Sequence, residues 1–142
     1  MTALIETDIL SEMERGRNAV VRSRASEYRA KQGPPAISCM TVFEVVFGWQ
    51  RVRLPDRAAD FLTWLAGINV IGLDEDICRL AGDIGGALDR AGQPIGVADL
   101  CIAATAIHHG HVLVTGNTSH FDRVRALGFP LQLDNWREPA AR

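Results

Sequence analysis

Three carboxylates occupy similar places in the sequence although they lie far apart along it. Glu6 and Glu44 come just after short apolar runs, and Glu6, Glu44 and Asp99 each lie at the start of a predicted helix. Parallel strands end at one edge of a sheet, so acids at such junctions can meet in one crevice. Clustered acids repel one another unless a cation compensates, and oxygen ligands suit Mg²⁺ or Mn²⁺. The pattern predicts a shared metal site.

Each acid also has a structural explanation when it is taken alone. Thr41 and Glu44 match the S/T-x-x-E capping box, Asp99 would gain from a helix dipole, and Asp8 is an ordinary helix cap. Glu6 is harder to explain, because it ends a strand expected to be buried, where an uncompensated carboxylate is costly. The metal hypothesis therefore depends on the three junction acids taken together.

Alternating strands and helices must position these acids. Short apolar runs predict strands over residues 3–6, 36–40, 112–115 and 131–133, with 70–73 as a strand or loop. Helical patterns cover one stretch before Pro34 and the ranges 41–52, 57–66, 74–88, 97–109 and 119–126. This alternation predicts an α/β fold in which helices cover a mainly parallel sheet.

The composition is that of one globular unit. The 142 residues are 47% hydrophobic and 23% charged, with a net charge of -2, which suits a single core. We expect one domain over residues 1–136 and a frayed tail over 137–142. No apolar stretch approaches the roughly 18 residues of a membrane span, and no signal-peptide pattern is seen, so a soluble, cytoplasmic protein is expected. The cysteines are expected to be reduced core residues: Cys39, Cys78 and Cys101.

A basic run in the first predicted helical stretch offers candidates for binding phosphate groups. These candidates are Arg15, Arg17, Arg22 and Arg24. A solvated helical face explains the same run. Histidines near a helix end at 108, 109 and 111 suit the helix dipole better than a metal. His120 lies nearer the predicted pocket, where a surface position is favoured over a phosphate contact.

Four segments of the chain form a recognisable pattern when they are taken in order. The first is Leu4-Ile5-Glu6-Thr7-Asp8-Ile9-Leu10, and the second runs from Ile37-Ser38 through Thr41 and Glu44 to Gly48. The third is Ile95-Gly96-Val97-Ala98-Asp99-Leu100-Cys101-Ile102-Ala103-Ala104. The fourth runs from Leu113-Val114-Thr115-Gly116-Asn117 to Val124. Together these segments resemble the PIN-domain ribonucleases, and most closely the VapC-type toxins of bacterial toxin–antitoxin pairs. The likeness covers nearly the whole chain.

The resemblance implies a single PIN-like α/β/α sandwich that hydrolyses RNA with Mg²⁺ or Mn²⁺. Glu6, Glu44 and Asp99 fall on the metal-site acids of the family, and Asn117 falls where a side chain would orient water or phosphate. The supporting residues implied around them are Thr7, Asp8, Thr115 and Thr118. The cleavage expected is attack on RNA phosphodiesters by a metal-activated water.

The resemblance also implies partners. These are a cognate antitoxin whose C-terminal segment covers the active site, a homodimer or a larger toxin–antitoxin assembly, and operator DNA bound through the antitoxin. Aromatic side chains offer surfaces for such contacts, although their helical spacing equally suits a core: Phe43, Phe47, Trp49 and Trp64.

Glu6 departs from the family pattern, which has Asp at this position in the form Asp-Thr-Asn/Asp. Mg²⁺ demands near-ideal octahedral geometry, so one extra methylene can weaken binding or force a water-bridged contact. Three explanations stay open: a natural variant that still binds metal, an impaired homologue, or an engineered change that lowers toxicity. The alternative function is a weak or inactive PIN-fold binding module that works in an antitoxin and operator DNA complex.

Overall fold

Strands and helices alternate along the computed structural model, which describes residues 2–141. The strands are β1 (Ala3–Ile5), β2 (Ala36–Ser38), β3 (Asn69–Ile71), β4 (Val112–Val114) and β5 (Gln132–Asp134). The helices are α1 (Thr7–Arg15), α2 (Ala19–Gln32), α3 (Cys39–Arg51), α4 (Pro55–Trp64), α5 (Glu75–Arg90), α6 (Val97–His109) and α7 (Thr118–Ala126). A 3-10 turn, Leu65–Gly67, follows α4.

Within residues 2–141 the strands form one parallel sheet in the order β3-β2-β1-β4-β5. Strand β1 is central, and its Leu4 pairs with Ala36 on one side and Leu113 on the other. Two apolar clusters share β1, because Leu4 packs into one and Ala3 and Ile5 into the other. Alternate side chains of a strand point to opposite faces. Helices therefore cover the central strands on both sides, and the predicted α/β sandwich is confirmed.

The fully buried side chains of β1 explain why this strand reads as a continuous apolar run. Leu4 and Ile5 are both inaccessible to solvent, as expected for a central parallel strand with helices on both faces. The strand ends at Ile5, one residue earlier than expected, and Glu6 begins the turn into α1. The carboxyl end of the central strand thus delivers Glu6 to the edge of the sheet where ligands bind in such folds.

Several local predictions need correction. The first helical stretch is two helices, because Gly16 ends α1 in a left-handed conformation and Asn18 caps α2 with its side chain. Strand β2 stops at Ser38, whose hydroxyl accepts the N–H of Met40 and starts α3 two residues earlier than expected. Cys78 is exposed, so it is not a core residue.

Local backbone features fix two helix ends and one close helix contact. Asp74 caps α5 by accepting the N–H of Ile77 at 2.9 Å, and Gly110 ends α6 with φ of 67°. A Cβ at Gly85 would lie 2.8 Å from Cδ1 of Leu100, so this glycine allows α5 and α6 to approach closely. In residues 2–141, helices lack the combination of length and apolarity that crossing a bilayer requires.

Candidate active site

Glu6 is the N-cap of α1, in a position where its carboxyl group is nearly closed off from solvent. The backbone N–H of Asp8 donates to its Oε2 at 3.3 Å, and the Thr115 hydroxyl donates to the same oxygen at 3.4 Å. The residue is only 8% exposed. The expectation that Asp8 caps this helix is wrong, because Asp8 lies inside the first turn. The longer Glu6 side chain folds back to take the capping role.

The surroundings of Glu6 favour its protonated form. Burial is the main cause that raises its pKa to about 9, and the hydrogen bond and charge of Asp8 and the charge of Asp99 add to the effect. The backbone N–H of Asp8 opposes the shift by stabilising the anion. A carboxyl group in this position is neutral at physiological pH unless a cation compensates for its charge.

Glu44 lies one turn into α3 and is held by α1. The Thr7 hydroxyl donates to Oε1 of Glu44 at 2.7 Å and lies 3.2 Å from the Thr41 hydroxyl. The capping-box interpretation of Thr41 and Glu44 is wrong, since Ser38 is the N-cap and both residues lie inside the helix. Burial raises the pKa of Glu44, the Thr7 hydroxyl opposes this, and the charge of Asp99 reinforces it. Thr7 thus links the acid of α3 to the turn that carries Glu6.

Asp99 lies in the first turn of α6 and is paired with a histidine of α7. Nε2 of His120 lies 2.9 Å from Oδ2 of Asp99, with about a quarter of each side chain exposed. Because an ionised carboxylate only accepts, the imidazole N–H donates. The sequence alone favours a surface position for His120, but its contact with Asp99 makes it part of the site. The sequence signal was its closeness to Asn117.

The turn between β4 and α7 carries the other predicted residues. Thr115 is fully buried, and its hydroxyl accepts the Asn117 N–H at 2.9 Å. Asn117 is the N-cap residue of α7 and is exposed, while Thr118 is partly exposed in the first helical turn. Asp8 accepts the Gly116 N–H at 2.8 Å and thereby ties this turn to α1. The turn brings Asn117 to the same edge of the sheet as Glu6.

A groove of about 440 Å³ leads away from Glu44 between α1, α3 and α4. Its lining combines acids, arginines and apolar groups: Thr7, Ser11, Glu14, Arg15, Arg17, Glu44, Val45, Gly48, Trp49, Val52 and Arg57. Two of the four predicted arginines, Arg15 and Arg17, are in this groove. Arg24 lies elsewhere and pairs with Asp134 at 2.6 Å, and Arg22 donates to the Gly16 carbonyl at 2.8 Å.

Arg57 is a groove residue that the sequence reasoning missed. Its guanidinium lies 5.8 Å from the centroid of the Trp49 ring, a cation–π contact between α4 and α3. Trp49 therefore has an identified partner within the groove. The sequence around Arg57 does not indicate this contact, because the contact depends on how α4 packs against α3.

The donor chemistry of the three acids suits a hard divalent cation. The negative charge of Asp99 raises the pKa of both Glu6 and Glu44. Among residues 2–141, no three His, Cys, Asp or Glu side chains are already arranged as ligands of one ion. Each acid is instead held by a protein donor: Thr115, Thr7 or His120. A cation would compensate for the charge that makes ionised Glu6 costly.

The family of the chain follows from a match of the PIN domain model to residues 3–127. The chain belongs to the PIN domain family. Within that family it is of the VapC type. It is 30% identical over 125 residues to a tRNA(fMet)-specific endonuclease VapC of Shigella flexneri, covering 87% of this chain and 92% of that protein. It is also 30% identical over 139 residues to Ribonuclease VapC1 of Haemophilus influenzae strain R2866, covering 96% and 98%.

Solved structures give the same assignment for this PIN domain. VapBC-1 from nontypeable Haemophilus influenzae superposes with a TM-score of 0.82 at 25% identity, covering 97% of this chain and 100% of the other. VapBC2 from Rickettsia felis, bound to a DNA fragment from its promoter, has a TM-score of 0.79 at 25% identity, covering 96% and 99%. Nearly the whole chain therefore has the fold of these proteins.

Proposed function

We propose that this PIN domain is a divalent-metal-dependent ribonuclease and the toxin of a toxin–antitoxin pair. One observation carries the proposal: Glu6 caps α1 at the carboxyl end of the central strand, and the next residue, Thr7, donates to Glu44 of α3 at 2.7 Å, which ties two of the three acids to one place. The relatives named as VapC ribonucleases support the choice of RNA as substrate. RNA as substrate is consistent with action in the cytoplasm.

In this proposal Glu6, Glu44 and Asp99 hold Mg²⁺ or Mn²⁺. The bound cation would supply activation of water and neutralisation of charge on the scissile phosphate. Thr7 and His120 hold Glu44 and Asp99 in their orientations, as outer hydrogen-bond partners commonly do for ligating side chains. Asn117, exposed at the start of α7, is placed to orient water or a phosphate oxygen without adding charge.

The groove beside Glu44 gives the RNA backbone a place to bind. Arg15 and Arg17 line it together with Arg57, whose position Trp49 supports. Arginine forks match phosphate geometry and bind it with charge-assisted hydrogen bonds. We assign phosphate contacts to these three arginines. Arg24 receives no such role, because Asp134 and the carbonyls of Asn135 and Glu138 already occupy its guanidinium.

The direct test is incubation of the purified chain with transfer RNA, ribosomal RNA and unstructured RNA. Each is treated with Mg²⁺, with Mn²⁺ and with chelator, and products are resolved on a denaturing gel. Cleavage of at least one RNA that stops with chelator is expected. If no RNA is cut under conditions where another PIN toxin cuts its own target, the ribonuclease proposal fails.

The proposed partners are a cognate antitoxin, a second copy of the chain or a larger assembly, and operator DNA bound through the antitoxin. Solved VapBC relatives, one with promoter DNA, support this. Phe43 and Phe47 lie more than half exposed on α3, with ring centroids 5.6 Å apart. An exposed aromatic pair on this helix suits a protein partner. Trp64 is less suited, since it packs on Phe61 in the core.

Size-exclusion chromatography with light scattering tests these partners. The chain is run alone and with the product of the neighbouring reading frame, using Phe43→Ser with Phe47→Ser as the interface variant. Complex formation by the unchanged chain and its loss in the variant are expected. A monomer that ignores the neighbouring product contradicts the partner proposal.

A second candidate is the weak or inactive binding module. It is favoured by the buried, protonated state of Glu6 and by the donors that hold each acid. This candidate predicts an intact antitoxin complex together with no RNA cleavage at any concentration of Mn²⁺. The cleavage and complex assays above therefore separate the two candidates.

A further inference from the structure

Arg137 lies at the start of the C-terminal segment and reaches back to helix α1. Its Nε contacts Oε1 of Glu12 in an ion pair, and its Nη2 lies 3.5 Å from Oδ2 of Asp8. Asp8 and Glu12 are one helical turn apart, so both carboxylates face the same guanidinium. About 40% of the Arg137 side chain is exposed. One arginine thus bridges two acids on the face of α1 next to Glu6.

The guanidinium also lies against the turn that carries Asn117. A Cβ at Gly116 would lie 1.9 Å from Nη1 of Arg137 and 2.7 Å from Oδ2 of Asp8. A side chain at position 116 would displace the Arg137 guanidinium or the Asp8 carboxylate, so glycine lets both approach the backbone. Because Asp8 also accepts the Gly116 N–H at 2.8 Å, the turn is held between α1 and Arg137.

A separate set of contacts holds the C-terminal segment and positions Arg137 against the Gly116–Asn117 turn. Arg24 of α2 pairs with Asp134 and donates to the carbonyl oxygens of Asn135 and Glu138 at 3.2 and 3.0 Å. The Asn135 side chain accepts the Arg137 N–H at 3.0 Å. Residues on both sides of Arg137 are thus fixed independently of its own ion pairs. The frayed tail predicted from the sequence begins at Arg137. Its last residue, Arg142, lies outside the described residues.

We infer that Arg137 is a positioning residue for the proposed nuclease, locking the Gly116–Asn117 turn against α1. The inference rests on the proposed function, since Asn117 matters there as the residue that orients water or phosphate. Arg137 acts through Asp8 and Gly116 and does not itself touch the three acids. The positive charge of Arg137 also offsets the negative charges of Asp8 and Glu12 on α1. The geometry makes the C-terminal segment part of the active-site framework.

The test compares Arg137→Ala, Arg137→Lys and Glu12→Gln with the unchanged full-length chain. Arg79→Ala is the matched control, because Arg79 is 75% exposed and its nearest acid, Glu75, is 4.0 Å away. Three quantities are measured: kcat and KM for RNA cleavage with Mn²⁺, and the hydrogen-exchange rate of the Gly116 amide. A double-mutant cycle between Arg137→Ala and Glu12→Gln separates coupling from general destabilisation.

Arg137→Ala is expected to lower kcat on the order of 10-fold, with KM changed much less, as for other outer partners of active-site groups. The Gly116 amide should exchange faster, Arg137→Lys should recover part of both effects, and the two substitutions should be non-additive. Unchanged exchange and kcat equal to that of Arg79→Ala overturn the inference. If the unchanged chain cleaves nothing, the nuclease proposal fails, while Gly116 exchange still decides whether Arg137 locks the turn.

Discussion

Nε2 of His120 lies 2.9 Å from Oδ2 of Asp99, joining the first turns of α6 and α7 above the edge of the sheet. The two residues are separated by 21 positions in the chain. The hydrogen bond is made to Oδ2, so the other carboxylate oxygen of Asp99, Oδ1, is not bonded to His120. His120 thus restricts Asp99 to one orientation, in which a ligand oxygen remains available for the proposed cation.

Replacement of His120 should weaken the site without unfolding the domain. We expect His120→Ala to reduce RNA cleavage on the order of 10-fold, the usual effect of losing an outer hydrogen-bond partner. His120→Gln, which keeps an N–H donor, should retain more activity than the alanine variant. Initial rates at saturating Mn²⁺ measure both, with thermal unfolding as the folding control. Equal rates for all three chains exclude a role for His120 in orienting Asp99.

Substitution of Glu6 by Asp should strengthen metal binding. Glu6 uses its length to reach back to the N–H of Asp8, and Asp would restore the residue that the family pattern has there. We expect a roughly 10-fold gain in Mn²⁺ affinity and in cleavage rate, which is the size of effect that substitutions next to metal ligands commonly have. Calorimetric titration and initial rates provide the measurements, with Glu75→Asp on the exposed face of α5 as control. Weaker binding by the Asp variant contradicts this account.

The pH dependence of stability should report the buried Glu6. Its pKa, about 9 in the folded protein, is above that of an exposed glutamate. The protonated form therefore contributes stability that is complete below about pH 4.5 and is lost as pH rises towards 9. In chelator, the free energy of unfolding should fall by about 1 kcal/mol per pH unit between pH 5 and 8 from this group. Urea unfolding at several pH values measures the slope.

Glu6→Gln provides the control for that slope. In this variant the free energy of unfolding should depend less on pH. A smaller slope should remain from Glu44, because burial also raises the pKa of Glu44. Added Mn²⁺ should stabilise the unchanged chain more at pH 8 than at pH 5, because ligands must be deprotonated. Identical slopes in the two chains would show that Glu6 does not carry the effect.

Gly85 and Gly82 offer a matched pair within helix α5. Alanine at an exposed helical position stabilises by up to about 1 kcal/mol over glycine, and Gly82 has open space for a Cβ. At Gly85 the Cβ would lie 2.8 Å from Cδ1 of Leu100, which must shift. We expect Gly82→Ala to raise the free energy of unfolding and Gly85→Ala to raise it less or lower it. Equal gains would refute close α5–α6 packing at Gly85.

The order of elements was predictable from the sequence because the signals were local. Apolar runs gave the strands, and Asp74 and Gly110 marked a helix start and a helix end through their own backbone preferences. The start of α3 was misplaced because two overlapping caps were available. Ser38 and Thr41 both suit an N-cap, and only the end of β2 at Ser38 decides between them.

The candidate site was predictable only in its acids. Glu6 follows β1, Glu44 lies in α3 and Asp99 lies in the first turn of α6, as the sequence indicated, while their sharing of one metal ion stays a prediction. Their partners were not predictable, since Thr7 meets Glu44 across 37 positions and Arg137 meets Glu12 across 125. Such pairs depend on how helices pack against the sheet. The predicted domain boundary at residue 136 stays a prediction.

The most direct test of the central claim is the rate of RNA cleavage as a function of Mn²⁺, measured for the unchanged chain and for Asp99→Asn. This substitution preserves the size of the side chain and removes the charge that acts on Glu6 and Glu44. We expect metal-dependent cleavage by the unchanged chain and a loss of at least about 100-fold in the variant, because a ligand or catalytic charge is removed. Equal cleavage by both chains, or cleavage that persists in chelator, would contradict it.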